Sequence, residues 1–249
     1  MALQEILLYK PTTSLTLMTE RIFVVDFAGT LIRPEIIEEA NIFRAKVLRR
    51  SLPSKSEHSK PEELYRANRE FVEKLTGLKS NMTLLYREND LDFMKIKGEH
   101  YNNQISTNLF QIGMFMAAKK HGKKIFPTGL LEQLQRIKRS GFKLAVVSGV
   151  RTDIISGMLA IAKAPVKFDY IYGQPPILGV SNEQNLKALA KHGKISFVLG
   201  DKLSDLEAKN IFKCKAIFAG WGHASGGEEE FADHIISNPG ELSKLVLGR

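Results

Sequence analysis

Ile22-Phe23-Val24-Val25-Asp26-Phe27-Ala28-Gly29-Thr30-Leu31 is the stretch that decides the fold class. Its apolar, largely β-branched opening reads as a buried strand, and an abrupt polar turn follows. In open α/β sheets, ligands bind outside the carboxyl ends of the strands, and Asp26 stands at such an end. Gly29 lets the backbone turn sharply and approach a ligand closely. An aspartate in this place suits nucleophilic attack on phosphorus. The plainer alternative is an Asp that caps the helix to come.

On the carboxyl side of this stretch, Pro34 suits a helix N1 position and Glu35 its first turn. Ile36, Ala40, Phe43 and Val47 continue at helical spacing, widened by Ile37 and Leu48. A polar linker, Ser51 to Lys60, interrupts the pattern. Pro61 opens a second helix with Leu64, Phe71 and Leu75, and Gly77 ends it. Further helices are predicted over about 88–98 and 105–120. No strand–helix alternation appears between 34 and 124, so residues 34–124 read as an inserted helical domain. Residues 1–19 read as an extension, with an edge strand at Ile6-Leu7-Leu8-Tyr9 the less favoured option and Met18 a possible start.

The alternation resumes at Phe126. Leu130, Leu134 and Ile137 mark a helix that Ser140-Gly141 ends. Lys143 to Val147 reads as a second buried strand ending in Ser148-Gly149, with a helix carrying Ile154, Ile155 and Met158 after it. A short strand, Tyr170-Ile171-Tyr172, a helix over 182–192, a strand Ile195 to Leu199 ending in Gly200-Asp201, and a helix over 203–212 follow. Strands Ala216-Ile217-Phe218 and His234-Ile235-Ile236 and a terminal helix close the chain. Residues 20–33 and 125–249 therefore form an α/β core with a doubly wound parallel sheet.

Three strand ends carry polar groups: Asp26, Ser148 and Asp201. In a parallel sheet they converge on one rim. Asp205, one helical turn past Asp201, can face the same place. Clustered carboxylates repel unless a cation neutralises them, and all-oxygen ligation suits Mg²⁺. The Ser148 hydroxyl and neighbouring backbone N–H groups suit phosphate oxygens.

These motifs resemble those of the haloacid dehalogenase superfamily. Asp26 to Thr30 is similar to its first motif, Asp-x-Asp-Gly-Thr, with Ala28 in place of the second Asp. Val147-Ser148-Gly149 is similar to the second, and Gly200-Asp201-Lys202-Leu203-Ser204-Asp205 to the fourth. Ala219-Gly220-Trp221-Gly222 and the tail after it resemble phosphoglycolate phosphatase-like members, and the helical insert sits where those members carry a cap. The resemblance implies a Mg²⁺-dependent phosphohydrolase of a small phosphorylated metabolite, working through an aspartyl-phosphate. It implies Asp26 as nucleophile and metal ligand, the Ala28 carbonyl, Asp201 and Asp205 as further metal ligands, and Thr30, Ser148 and Gly149 as phosphoryl-binding groups. For the third-motif lysine, Gln174-Pro175-Pro176 stands where relatives have Lys-Pro. Lys187 is the choice, ahead of Lys191 and Lys194.

Ala28 removes the general acid such a phosphatase uses, a group worth about 10²–10⁴ in rate. The resulting Asp-x-Ala-Gly-Thr resembles phosphonoacetaldehyde hydrolase, which cleaves a carbon–phosphorus bond through a Schiff-base lysine in its cap. Lys46, Lys55, Lys60, Lys74, Lys79, Lys95 and Lys97 are the lysines available for that role. A weakly active protein that binds a phosphorylated ligand is the third reading.

Composition bounds the rest. A chain of 249 residues, 43% hydrophobic, suits one large domain or a core with a smaller insert. The single cysteine, Cys214, excludes an internal disulfide and makes a reducing cytoplasm the expected setting. No apolar run is long enough to span a bilayer. Net charge is +9, with a basic run from Lys119 to Lys143 opposed by Glu132 alone. No aromatic residues interleave with those charges as a base-stacking platform requires, so a solvated face is expected rather than a nucleic-acid site.

Overall fold

The computed structural model describes residues 20–51, 98–174, 181–223 and 226–248. The opening stretch forms β1 (Arg21–Asp26), buried from its second residue onward. Strands β2 (Phe142–Arg151), β3 (Tyr170–Gln174), β4 (Lys194–Gly200), β5 (Lys215–Ala219) and β6 (His234–Ile236) join it in one sheet. All five pairings are parallel, in the order β3-β2-β1-β4-β5-β6. The sheet order reverses beside β1, so the carboxyl ends of β1, β2 and β4 are neighbours.

Side chains of β1 alternate between two buried layers. Phe23 and Val25 enter the larger core with Leu144 and Val146 of β2, while Ile22 and Val24 enter the second with Ala145 and Val147. The larger core is closed by α1 (Pro34–Ser51), α2 (Gly98–His121), α3 (Leu130–Arg139), α4 (Thr152–Ile161) and α8 (Leu242–Leu247). The opposite face is covered by α5 (Asn182–Leu189), α6 (Leu203–Leu206) and α7 (Ala208–Phe212).

Several elements differ in extent from the sequence expectation. The strand expected to stop at Ser148-Gly149 continues to Arg151, because after a register shift Arg151 pairs with Gln174. Helix α2 begins at Gly98, ahead of the predicted 105, and no proline interrupts it. Gly113 within it lets α1 approach: a Cβ there would lie 2.8 Å from the Ala40 Cα. The helix expected over 182–192 ends at Leu189, and the one over 203–212 divides at Glu207. The extension with its possible edge strand, the helix opened by Pro61, and the lysines Lys55, Lys60, Lys74, Lys79, Lys95 and Lys97 lie outside the described residues.

Part of the basic run is absorbed by ion pairs: Lys120 with Glu39, Lys138 with Asp169 and Lys143 with Glu20. No helix among the described residues is long and apolar enough to cross a membrane. Cys214 is buried, and burial pushes its thiol up to about 11.

Candidate active site

Directly after β1 the chain folds into a tight loop. The Asp26 carbonyl accepts from Leu31 N at 3.1 Å, the Phe27 carbonyl from Ile32 N at 2.8 Å, and Gly29 N donates to the Ile32 carbonyl at 3.0 Å. Gly29 takes φ +100°, a conformation that favours glycine. A Cβ on it would stand 2.3 Å from an Asp201 carboxylate oxygen. The same loop therefore carries Asp26 and makes room for Asp201 at the end of β4.

Asp201 is fully buried and held from two sides. Thr30 Oγ1 donates to its Oδ1 at 2.9 Å, and His223 N donates to its Oδ2 at 2.6 Å. Gly222 permits that second approach, since a Cβ there would lie 2.2 Å from the Asp201 Cβ. Trp221 packs on the larger core and donates its indole N–H to the Thr30 carbonyl at 3.0 Å, tying this loop to the β1 loop. Asp205 lies against Gly200, with Asn182 Nδ2 donating to its Oδ1 at 3.2 Å and Lys202 N to its Oδ2 at 3.3 Å.

Asp26, Asp201 and Asp205 each offer an oxygen within 4.8 Å of the others, and all three are buried. Burial, then the charges of Asp205 and Asp201, raises Asp26 well above the usual carboxylate range, against the Phe27 amide and Lys202. Burial, then the charge of Asp201, pushes Asp205 up to about 6, although Lys202 and Asn182 oppose it. Three crowded oxygen donors, with Asp26 and Asp205 held back from ionising, fit a hard divalent cation, which would remove the repulsion.

The cluster opens on a cavity of about 580 Å³. Asp26, Ala28, Ser148, Gly149, Lys202 and Asp205 line its sheet side. Ile37 and Asn41 of α1 and Phe110 and Gln111 of α2 line the other. Ser148 is buried and accepts from Val150 N at 3.2 Å.

Of the residues picked from sequence, the structure brings together Asp26, Ala28, Ser148, Gly149, Asp201 and Asp205. Thr30 stands behind the site, fully buried against Asp201, and does not line the cavity. Lys187 is not brought in. It is exposed on α5 and paired with Glu183 one turn earlier. Among the described residues, the lysine at the cavity is Lys202, which directly follows Asp201 and was not the one picked from sequence. Asn41, Gln111 and Asn182 were also missed. For Gln111 the signal was a lone amide in the apolar run Leu109 to Met114.

No family model matches the chain. The chain is 28% identical over 123 residues to phosphoglycolate phosphatase of Aquifex aeolicus (strain VF5), covering 45% of this chain and 55% of that protein. It thus spans about half the length of the curated relative it matches. A haloacid dehalogenase-like family hydrolase from Streptococcus pneumoniae superposes with TM-score 0.56 at 17% identity, over 94% of this chain and 100% of that one. CbbY from Rhodobacter sphaeroides, solved in complex with xylulose-(1,5)bisphosphate, superposes with TM-score 0.55 at 17% identity, over 90% and 96%. The chain has the fold of these haloacid dehalogenase-like structures, a parallel sheet with flanking helices.

Proposed function

We propose that this chain is a Mg²⁺-dependent phosphohydrolase of a small phosphorylated metabolite, acting in the cytoplasm. One observation carries the reading. Asp26, Asp201 and Asp205 bring carboxylate oxygens within 4.8 Å of one another, and Asp26 and Asp205 face a cavity that also presents Ser148 and Lys202. Clustered carboxylates at a strand-end rim have no packing purpose, and the reluctance of Asp26 and Asp205 to ionise there is a cost that a bound ligand would offset. The likeness to a phosphoglycolate phosphatase supports the reading.

In this reading Asp26 attacks phosphorus. The bond to the leaving oxygen breaks, an aspartyl-phosphate forms, and water then releases inorganic phosphate and restores Asp26. Ser148 and the backbone beside Gly149 hold phosphoryl oxygens. Lys202 supplies the positive charge expected of a third-motif lysine, from a different place in the chain. Asp26, Asp201, Asp205 and the Ala28 carbonyl would hold the metal, with Thr30 fixing Asp201. A bound Mg²⁺ would neutralise the carboxylates and polarise the phosphoryl group. Helices α1 and α2 act as part of a cap over the site.

Ala28 favours one second reading, carbon–phosphorus hydrolysis, because that chemistry dispenses with the missing acid. It requires an imine lysine, so a borohydride trap with phosphonoacetaldehyde separates the two.

The test is phosphate release with Mg²⁺ from small phosphoesters, p-nitrophenyl phosphate and phosphonoacetaldehyde. Release from esters, reduced at least about 10³-fold in Asp26→Asn, is the expected outcome. Release from phosphonoacetaldehyde alone would move the assignment to carbon–phosphorus cleavage. Silence with Mg²⁺ binding intact would leave a ligand-binding protein.

A further inference from the structure

Asp201 and Asp205 are held alike. Each accepts from one backbone amide, His223 N or Lys202 N, and from one uncharged side chain, Thr30 Oγ1 or Asn182 Nδ2. Neither accepts from a lysine or arginine side chain among the described residues. Asp169, which does not border the cavity, differs: beside a backbone amide, its second donor is Lys138 at 2.8 Å. A cationic donor offsets the charge it meets. A neutral donor fixes a carboxylate's direction and leaves its charge for another cation.

Asn182 brings its half of this arrangement from a separate element. It is the first residue of α5 and borders the cavity. A capping box sets its place: Gln184 N donates to Ser181 Oγ at 3.2 Å, and Ser181 N donates to Gln184 Oε1 at 2.9 Å. Leu186 and Leu189 anchor the helix in the second core. From this mount Asn182 Nδ2 donates to Asp205 Oδ1 at 3.2 Å, while Lys202 N holds Oδ2 at 3.3 Å. The carboxylate cannot turn without losing a donor, and about two of its four acceptor positions stay open. The residue of α5 that reaches the carboxylates is thus neutral, whereas Lys187 on the same helix pairs with Glu183. Ionised, Asp26, Asp201 and Asp205 together with Lys202 leave two negative charges, which one divalent cation balances. Resting on the Mg²⁺-dependent reading, we propose that Asn182 is a positioning residue, an uncharged donor that aims Asp205 at the cation without competing with it.

The test is Mg²⁺ titration calorimetry on the full chain without substrate, joined to thermal melts in EDTA and in Mg²⁺. Asn182→Leu, close in shape but lacking the donor, should weaken Mg²⁺ binding by about 10-fold or more. Asn182→Lys keeps a donor and adds a charge. It should weaken Mg²⁺ binding too, yet raise the melting temperature in EDTA. In an Asp205→Asn background, Asn182→Leu should have no further effect on Mg²⁺ affinity, because it acts through that carboxylate. Phosphate release lost in Asn182→Leu should return at high Mg²⁺. Unchanged Mg²⁺ affinity in Asn182→Leu, whatever its melting temperature, would overturn this proposal alone and reduce the residue to a part of the α5 start. So would unchanged affinity in Asn182→Lys, or a full further loss in the Asp205→Asn background. Should the unmodified protein bind no Mg²⁺, the Mg²⁺-dependent reading falls and the role of Asn182 falls with it.

Discussion

Asp169 and Asp233 stand just before β3 and β6, on the amino rim of the sheet, while Asp26 and Asp201 stand at the carboxyl ends of β1 and β4. The amino-rim pair share one arrangement. The Asp169 carboxylate accepts from Leu144 N at 2.9 Å and from Lys138 at 2.8 Å, and Asp169 N donates to the Leu144 carbonyl at 2.8 Å. Asp233 accepts from Ala216 N at 2.8 Å, its N donates to the Ala216 carbonyl at 2.9 Å, and Lys215 lies 3.6 Å away. Each aspartate thus clips an edge strand to its neighbour. Burial raises Asp169, but Lys138 and the Leu144 amide outweigh it and hold the carboxyl below its ordinary value. The Ala216 amide, with Lys215, does the same for Asp233. On the carboxyl rim, burial and mutual repulsion drive Asp26 and Asp205 the other way. One residue type stabilises where donors and a cation meet it, and resists ionisation where carboxylates crowd. The second condition persists in a fold when binding or catalysis requires it.

The largest effect expected from disturbing this contrast comes from crowding the carboxyl rim further. Ala28 lines the cavity without an acidic group. Ala28→Asp should raise phosphate release from an alkyl phosphate by about 10²-fold at saturating Mg²⁺, through general acid help to the leaving oxygen. It should also lower the melting temperature in EDTA, where a further carboxylate has no counter-ion. A folded variant with no gain in rate would show that departure of the leaving group does not wait on a proton donor.

The contrast between the rims was legible in part. Apolar runs ending in Asp26, Ser148 and Gly200-Asp201 located the carboxyl rim, because a parallel sheet compels such ends to meet. Asp205 followed from helical spacing. Lys187 did not hold, and the reason was present in the sequence: Glu183 lies four residues earlier, an ordinary pairing on an exposed helix face. Thr30 was given the substrate because its motif suggested it. Only the fold shows β4 bringing Asp201 within reach of its hydroxyl. The amino-rim clips depend on strand register, which places Asp169 beside Leu144 and Asp233 beside Ala216. Local pattern carries no such information.

A smaller effect tests how tightly the carboxyl rim is built. Gly222→Ala would set a methyl group 2.2 Å from the Asp201 Cβ, with backbone on one side and a buried side chain on the other. Overpacking of this kind costs about 1–3 kcal/mol. Thermal or urea melts should show that loss, and a Mg²⁺ titration should show weaker binding because Asp201 is displaced. Unchanged Mg²⁺ affinity alongside lost stability would mean that Asp201 is not a ligand.

The smallest effect concerns the amino rim and carries a sign. A carboxyl whose folded value is depressed contributes stability above its unfolded value of about 3.9, and that contribution is lost as pH falls through the folded value. Asp169→Asn and Asp233→Asn should each lower stability at pH 7 by about 1 kcal/mol, by weakening a charge-assisted hydrogen bond to backbone N–H. The gap from the unmodified protein should narrow in urea melts as pH falls below the ordinary carboxylate range and both rim carboxylates become protonated. Phosphate release at pH 7 should stay unchanged, because neither residue borders the cavity. A gap that persists undiminished at low pH would assign the clips to geometry rather than charge. The two rims would then differ in crowding alone, and the acidity of the carboxyl rim would have no counterpart elsewhere in the sheet.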